Sequence, residues 1–523
     1  MGCHVRLPGC GGLSAQHTCA CATRDCVAQL DHSWYVSAPA ALSLACAAIT
    51  RECSCVVLML PGLVCTFPSL LLVDQLHFQF NAWLLAGLVF TLACARQQAW
   101  ACMAASFAAL VCSKHIFAAL GPMVCVVLLV HVLWQPIQRQ QWRIAVKQSL
   151  VVAAVVAAVL AIVLIPVLLS CPEHFMRSVA AIKARLFPWD RGLTHAYWAP
   201  NMWALYNAAD LTATKLLAKA VPLVQRWPAL AAFASAAKHA ELPYARGLVQ
   251  DFGLDSHAVL PSPRPLHASL LTLGWMLVSE SATPLLTRAT DPSPHCTPSH
   301  LLSPIFQPAM IAYARRPTDS RRLYAMSWCF LGYFLWGWHV HEKALIYVTL
   351  PLLLAALDSS HEWVVQVLFI APVTALVMLP LFTTPFGTCR CAGLQAHIAA
   401  HGLNHTCRHA VHYPPELWLG LALTALWCVA WYQHGSLWLR LVRYPATKHS
   451  ARDVDPLQVL SAAQSMACVV LWCISGFYTV VMCIRAVFPA QRRLGEFYPL
   501  LSMSTAGAAC VALLSQWLWS KLK

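Results

Sequence analysis

Long apolar runs, broken by short polar and basic stretches, dominate the pattern of this chain. Residues 149–171 carry no charge, and neither do 364–384, 462–484 or 499–519. Each run reaches the ~18 nearly uncharged residues that mark a membrane-spanning helix. A soluble protein cannot bury so many all-round apolar segments in one core of ordinary size. The same criterion, relaxed for shorter runs, predicts about twelve spans, near 54–73, 81–95, 99–113, 116–134, 149–171, 265–284, 323–338, 344–357, 364–384, 415–432, 462–484 and 499–519. The expected fold is therefore an all-α polytopic membrane protein.

Composition agrees. Hydrophobic residues make up 59% of 523 positions and charged residues 11%, against about 25% charged in soluble domains. Mean hydropathy is +0.61. The formal net charge is +15, which fits basic loops anchored on the cytosolic side. A nucleic-acid partner would need basic residues clustered on one soluble domain with stacking aromatics, and no such domain is visible. The 21 Trp suit interfacial belts. Cysteines number 24, nine of them in the first 65 residues. His4, Cys10, His17, Cys19, Cys21 and Cys26 lack the paired Cys-x-x-Cys spacing of a zinc site, so no metal is expected.

The basic residues orient the spans. Arg96, Arg139, Arg143, Lys147, Arg315, Arg316, Arg321, Arg322, Arg440, Arg443, Lys448, Arg452, Lys521 and Lys523 fall on one side if the spans alternate, and that side is the cytosol. Arg485, Arg492 and Arg493 are exceptions. The resulting organisation is an atypical Cys-rich segment at 1–36, a membrane domain at 37–519 and a cytosolic tail at 520–523. Within the domain, 172–264 and 385–414 are lumenal loops and 285–322 is cytosolic. The sequon at Asn404 falls on the lumenal side, where it could be glycosylated. No P-loop, dinucleotide motif or internal repeat is visible.

Three polar patches converge on the lumenal side. The first holds Asp74, His77, Gln79 and Asn81. Asp74 is open to three roles: general base, acceptor for sugar hydroxyls, or structural cap. The second is Arg185-Leu-Phe-Pro-Trp-Asp-Arg191-Gly192 together with 194–207, which carries His195 and Asn201 among the five aromatics Trp189, Tyr197, Trp198, Trp203 and Tyr206 and two arginines. It suits a phosphate-sugar site or an interfacial re-entrant segment. The third, His339-Val-His341-Glu342-Lys343, places four ionisable groups at the end of an apolar span. Such charge is costly unless paired or functional. Its cations could hold a phosphate, and Glu342 could orient one of them or an acceptor hydroxyl. Snorkelling at the interface is the plainer alternative. Lys114 and His115 form a weaker fourth pair at a lumenal span end.

Taken together, Val73-Asp74-Gln-Leu-His77-Phe-Gln-Phe-Asn81, Lys114-His115, Arg185-Leu-Phe-Pro188, Arg191-Gly192 and Val340-His-Glu-Lys343 closely resemble the dolichyl-phosphate-glucose-dependent α-1,3-glucosyltransferases of N-glycan assembly. The resemblance covers residues 45–360 well and the later spans loosely. The stretch 195–207 and His339 look like the second of two such enzymes acting in series. The resemblance implies a GT-C membrane fold with lumenal loops and re-entrant segments, in the endoplasmic-reticulum membrane. It implies transfer of glucose from dolichyl phosphate glucose to a monoglucosylated, dolichyl-pyrophosphate-linked oligomannose glycan, with membrane lipids as surroundings and no cofactor beyond the lipid-linked donor. Asp74 and Glu342 are then the carboxylate candidates for catalysis. His77, Asn81, Lys114, His115, Arg185, Arg191, His195, Trp198, Asn201, His339, His341 and Lys343 are the candidates for substrate or phosphate binding. One departure stands out. The family begins with an additional span, a lumenal loop bearing an acidic base and an Asp-Tyr-Pro-Pro element, and none of these is matched before Arg51. The expectation is an incomplete N-terminus, with competence to be tested. A transporter or scramblase, which would show intramembrane charges and internal symmetry, a related mannosyltransferase and a catalytically dead relative are the alternatives.

Overall fold

A computed structural model describes residues 67–70, 81–169, 175–186, 192–194, 199–222, 226–239, 257–277 and 309–356, with the single positions 73, 189, 370, 373, 374, 377, 511 and 518. Among these residues the secondary structure is helical throughout, without a strand. In chain order the α-helices of seven or more residues are α1 (Asn81–Arg96), α2 (Trp100–Ser113), α3 (Gly121–Leu128), α4 (Trp142–Leu169), α5 (Phe175–Leu186), α6 (Met202–Ala220), α7 (Pro228–His239), α8 (Pro265–Leu277), α9 (Ala309–Arg315), α10 (Asp319–Trp336) and α11 (Leu345–Ala356).

Helices lie where the apolar runs between 81 and 357 predict them. The run at 116–134 is built in pieces: a 3-10 turn at His115–Leu120, then α3, then a π-turn at Leu129–Trp134. Together, His115–Gln138 and Trp142–Pro166 are long and apolar enough to cross a membrane. The spans expected near 54–73, 364–384, 415–432, 462–484 and 499–519 lie wholly or almost wholly outside the described residues, as do segment 1–36 and most of the loops at 285–322 and 385–414. The segment 172–264, expected as a lumenal connection, carries α5, α6 and α7.

Helix α4 shows what the apolar pattern is for. Its 28 residues extend about 42 Å at 1.5 Å per residue. Leu150 is 65% exposed and Ile162 73%. An apolar surface of that extent is intolerable in water and natural in lipid.

The core lies where α1, α10 and α11 meet the 3-10 turn. Phe117 packs edge-on against Tyr347 at 5.2 Å and against Phe330 at 6.1 Å. Trp275 of α8 stacks on Trp328 of α10 at 4.5 Å, and the Trp328 indole N–H donates to the Trp275 carbonyl. Gly332 makes this approach possible, because a Cβ there would stand 2.4 Å from the Trp275 ring.

Helix α10 is delimited at both ends by local chemistry. Thr318 caps its start by accepting from the Arg321 N–H, and Asp319 complements the positive end of the helix. Gly337 follows its last turn in extended backbone, where a Cβ would fall 2.4 Å from the Tyr333 carbonyl oxygen. The polar segment 338–343 therefore begins at a defined point over the core.

Candidate functional site

Asn201 starts the assembly. Its side-chain oxygen accepts from the Trp203 and Ala204 N–H groups and caps α6, while its amide donates to the Phe334 carbonyl at the far end of α10. The Trp203 indole N–H donates to the Gly337 carbonyl. Residues 199–207 are thereby fastened to the C-terminal end of α10. The preceding turn is fastened as well: the His339 N–H donates to the Leu193 carbonyl at 2.9 Å, and its ring Nδ1 lies 3.3 Å from the Gly192 carbonyl. His339 holds a left-handed backbone, φ 53°, a conformation that persists in a non-glycine residue when its surroundings impose it. Its ring meets that of His341 edge-on at 5.8 Å.

Glu342 follows, at the head of a 3-10 turn that leads into α11. Its carboxyl group is fully buried, and neither oxygen has a hydrogen-bond partner among the described residues. Burial pushes its pKa up, while a glancing approach of its own backbone N–H and the charge of Lys343 pull it back in part. The group is therefore held toward its neutral form. Lys343 beside it is half-buried.

One turn further, Tyr347 closes the site to the first patch. The Lys114 ammonium donates to Asn81 Oδ1 at 2.8 Å and to the Tyr347 hydroxyl at 2.9 Å, and Tyr347 donates to the same Asn81 oxygen at 2.7 Å. These three residues tie the starts of α1, the 3-10 turn and α11 together. Lys114 also lies 5.1 Å from the Tyr347 ring centre. His115 sits half-buried at the start of that turn.

The structure thus ties Asn81 and Lys114 to Tyr347 of α11, and ties Asn201 and the turn at 192–193 to the end of α10 and to His339, with His341, Glu342 and Lys343 on the segment between α10 and α11. Arg185 lies in the last turn of α5. Asp74, His77, Arg191, His195, Trp198 and Asn404 lie outside the described residues. Tyr347 was not singled out in the sequence, because a tyrosine inside an apolar span reads as core. A second omission is Asp210 with His257. Asp210, fully buried on α6, accepts from the Ala258, Val259 and Leu260 N–H groups. Its spacing of three from Asn207 puts both on one helix face, a signal the sequence did hold. Among the described residues no group of three or more His, Cys, Asp or Glu could hold a metal ion.

Comparison with known proteins bears on this assembly. A protein of Eremothecium gossypii named dolichyl pyrophosphate Glc1Man9GlcNAc2 alpha-1,3-glucosyltransferase is 33% identical over 301 residues, covering 54% of this chain and 45% of the relative. The Schizosaccharomyces pombe protein of the same name is 30% identical over 318 residues, covering 60% and 52%. That of Arabidopsis thaliana is 28% identical over 328 residues, covering 62% and 53%. The chain spans about half the length of the curated relatives it matches. The family model described as "ALG6, ALG8 glycosyltransferase family" matches residues 30–519. With the match running through every segment of the assembled site, the chain belongs to the ALG6, ALG8 glycosyltransferase family.

Proposed function

We propose that this protein transfers glucose from dolichyl phosphate glucose to the monoglucosylated, dolichyl-pyrophosphate-linked oligomannose glycan, in α-1,3 linkage. One observation carries the reading. Asn81 and Lys114, more than two hundred residues from the segment His339–Lys343, are hydrogen-bonded to Tyr347 in the first turn of α11, the helix that this segment leads into. The names of the relatives supply the substrate: each of those described above is named for the Glc1Man9GlcNAc2 glycan on dolichyl pyrophosphate.

The reading carries with it a GT-C membrane fold of about twelve spans, in the endoplasmic-reticulum membrane with the site on the lumenal side. The basic cytosolic loops support that orientation. The domain plan has a membrane domain at 37–519, lumenal loops at 172–264 and 385–414, and a cytosolic loop at 285–322. Asn404 is the glycosylation site of the second lumenal loop.

The reaction is a displacement at the anomeric carbon. The acceptor 3-hydroxyl oxygen bonds to that carbon, the bond to the phosphate oxygen breaks with inversion, and a carboxylate takes the hydroxyl proton. Cations stabilise the departing dolichyl phosphate. Lys343 and His341 hold the phosphate, helped by Arg185 or Arg191. His77, Asn81, Lys114, His115, His195, Trp198, Asn201 and His339 shape the surrounding donor and acceptor sites. Asn81, Lys114 and Asn201 do so by holding the helix ends in place, given the hydrogen bonds they make. Of the two carboxylates, Asp74 suits the base better. Glu342 is fully buried and biased toward its neutral form, which suits orienting its neighbours.

The test is the lipid-linked oligosaccharide profile, by mass, of cells lacking the second glucosyltransferase and expressing this chain at verified membrane levels. Conversion of the one-glucose species to two or three is expected. An unchanged profile with correctly inserted protein would refute catalysis by these 523 residues and favour a lipid-linked-glycan-binding relative.

A further inference from the structure

We propose that His257, held in place by Asp210, is a positioning residue for the segment His339–Lys343, acting through Asn207 and the turn at 192–194. The inference rests on the glucosyltransferase reading for its consequence, and on hydrogen bonds for its existence.

The path has four links. Asp210 is 0% exposed, and its two carboxylate oxygens collect the three consecutive N–H groups of Ala258, Val259 and Leu260 at 2.7–3.2 Å. Charge-assisted bonds of that number fix the loop against α6. His257 opens the loop, its ring Nε2 3.0 Å from Asn207 Oδ1. The Asn207 amide donates to Thr194 Oγ1 at 3.1 Å. Since that amide nitrogen is the donor, Asn207 Oδ1 accepts, and His257 must carry its proton on Nε2. Burial pushes the His257 pKa down and favours the neutral ring, with the Asp210 charge opposing. Thr194 adjoins Leu193, whose carbonyl receives the His339 N–H.

The direction of the effect follows from strain. A left-handed histidine is costly and holds that conformation only against a fixed template. Gly192 and Leu193 provide the template. Thr194, Asn207 and Asp210 are each almost wholly buried, so loosening one link leaves polar groups unpaired rather than rehydrated. The left-handed turn at His339 sets where His341 and Lys343 emerge. Sub-ångström placement of such groups acts on the chemical step more than on binding.

The experiment uses the full chain in lipid nanodiscs, comparing His257→Ala, His257→Gln, Thr194→Val and the control Ser106→Ala. The control removes a hydrogen bond between α1 and α2. Amide hydrogen exchange of peptides covering 337–343 is read first. His257→Ala and Thr194→Val should speed it by about tenfold, with α1 and α2 unchanged. His257→Gln, which can still donate to Asn207, should restore it, and Ser106→Ala should leave it alone. Glucose transfer from dolichyl phosphate glucose is read next: His257→Ala should lower kcat by about tenfold and move the donor KM less than about threefold. Unchanged exchange at 337–343 in both variants overturns the proposal. So does faster exchange with undiminished kcat per folded molecule. If the unsubstituted chain transfers no glucose, the functional reading alone fails, and the exchange data still decide whether His257 positions the segment.

Discussion

Two loops are tied to the turn at 192–194, and each receives a fully buried carboxyl group. At 257–261, Asp210 is met by three backbone N–H groups. At 337–343, Glu342 has no hydrogen-bond partner among the described residues. Folding alone accounts for the first, because a satisfied buried carboxylate locks a loop. The second carries no such bonds among the described residues, and its burial biases it toward the neutral form. The contrast separates a carboxylate locked by the backbone from a carboxyl group whose burial favours keeping its proton.

The largest expected effect tests the chemical side of the contrast. Lys343→Ala should lower transfer by about a hundredfold or more, the scale of losing one donor to a developing anion, with insertion intact. Near-normal turnover in a membrane-inserted variant would remove Lys343 from the reaction. Next, Asp210→Ala strands three N–H groups and should destabilise the protein by about 3 kcal/mol, given ~1–3 kcal/mol per unsatisfied buried group and partial rehydration. Thermal unfolding in detergent measures it, and an unchanged midpoint would place Asp210 on the same footing as Glu342.

Gly337→Ala probes the joint between helix and site. Its Cβ would press on the Tyr333 carbonyl and Val340, so a loss of about 1–3 kcal/mol is expected from overpacking, again read by thermal unfolding. The smallest effect is expected from Glu342→Gln. The substitution keeps volume and removes an ionisable group, so near pH 5 stability should change by less than about 1 kcal/mol. Its pH dependence is the sharper readout. The native pKa of Glu342 lies above its ordinary 4.5, so above that pH the native state binds more protons than the unfolded one. Stability is then fully present below about 4.5 and declines as pH rises through the elevated native value. Glu342→Gln should flatten that decline. An identical pH profile in both proteins would show that Glu342 ionises freely, and the contrast with Asp210 would collapse.

Much of the helix layout could be read in advance from the runs of apolar residues. The elements at Asn81–Arg96, Trp100–Ser113, Trp142–Leu169 and Leu345–Ala356 lie where those runs put them. The third patch was legible too, since four ionisable groups at a span end are conspicuous. Its partners were harder to see. Tyr347 looked like one more core aromatic, and His257 lay in a stretch without apolar period or familiar spacing. Asn201 stands out in the sequence as a polar residue among aromatics, and nothing there shows that its side chain bonds to α6 and α10.

The sequence by itself determined where this chain is apolar enough to form membrane-type helices and which polar patches stand at their ends. Hydropathy and charge belong to residues one at a time and survive in any fold. Only the tertiary structure decided which polar groups share an environment. Asn81, Lys114 and Tyr347 meet across separations of 33 and 233 residues, and the Asp210 carboxylate meets three backbone N–H groups 48–50 residues along the chain. Whether a buried charge is satisfied depends on what the packed chain brings within hydrogen-bonding reach, about 3 Å, and that is a property of the whole fold.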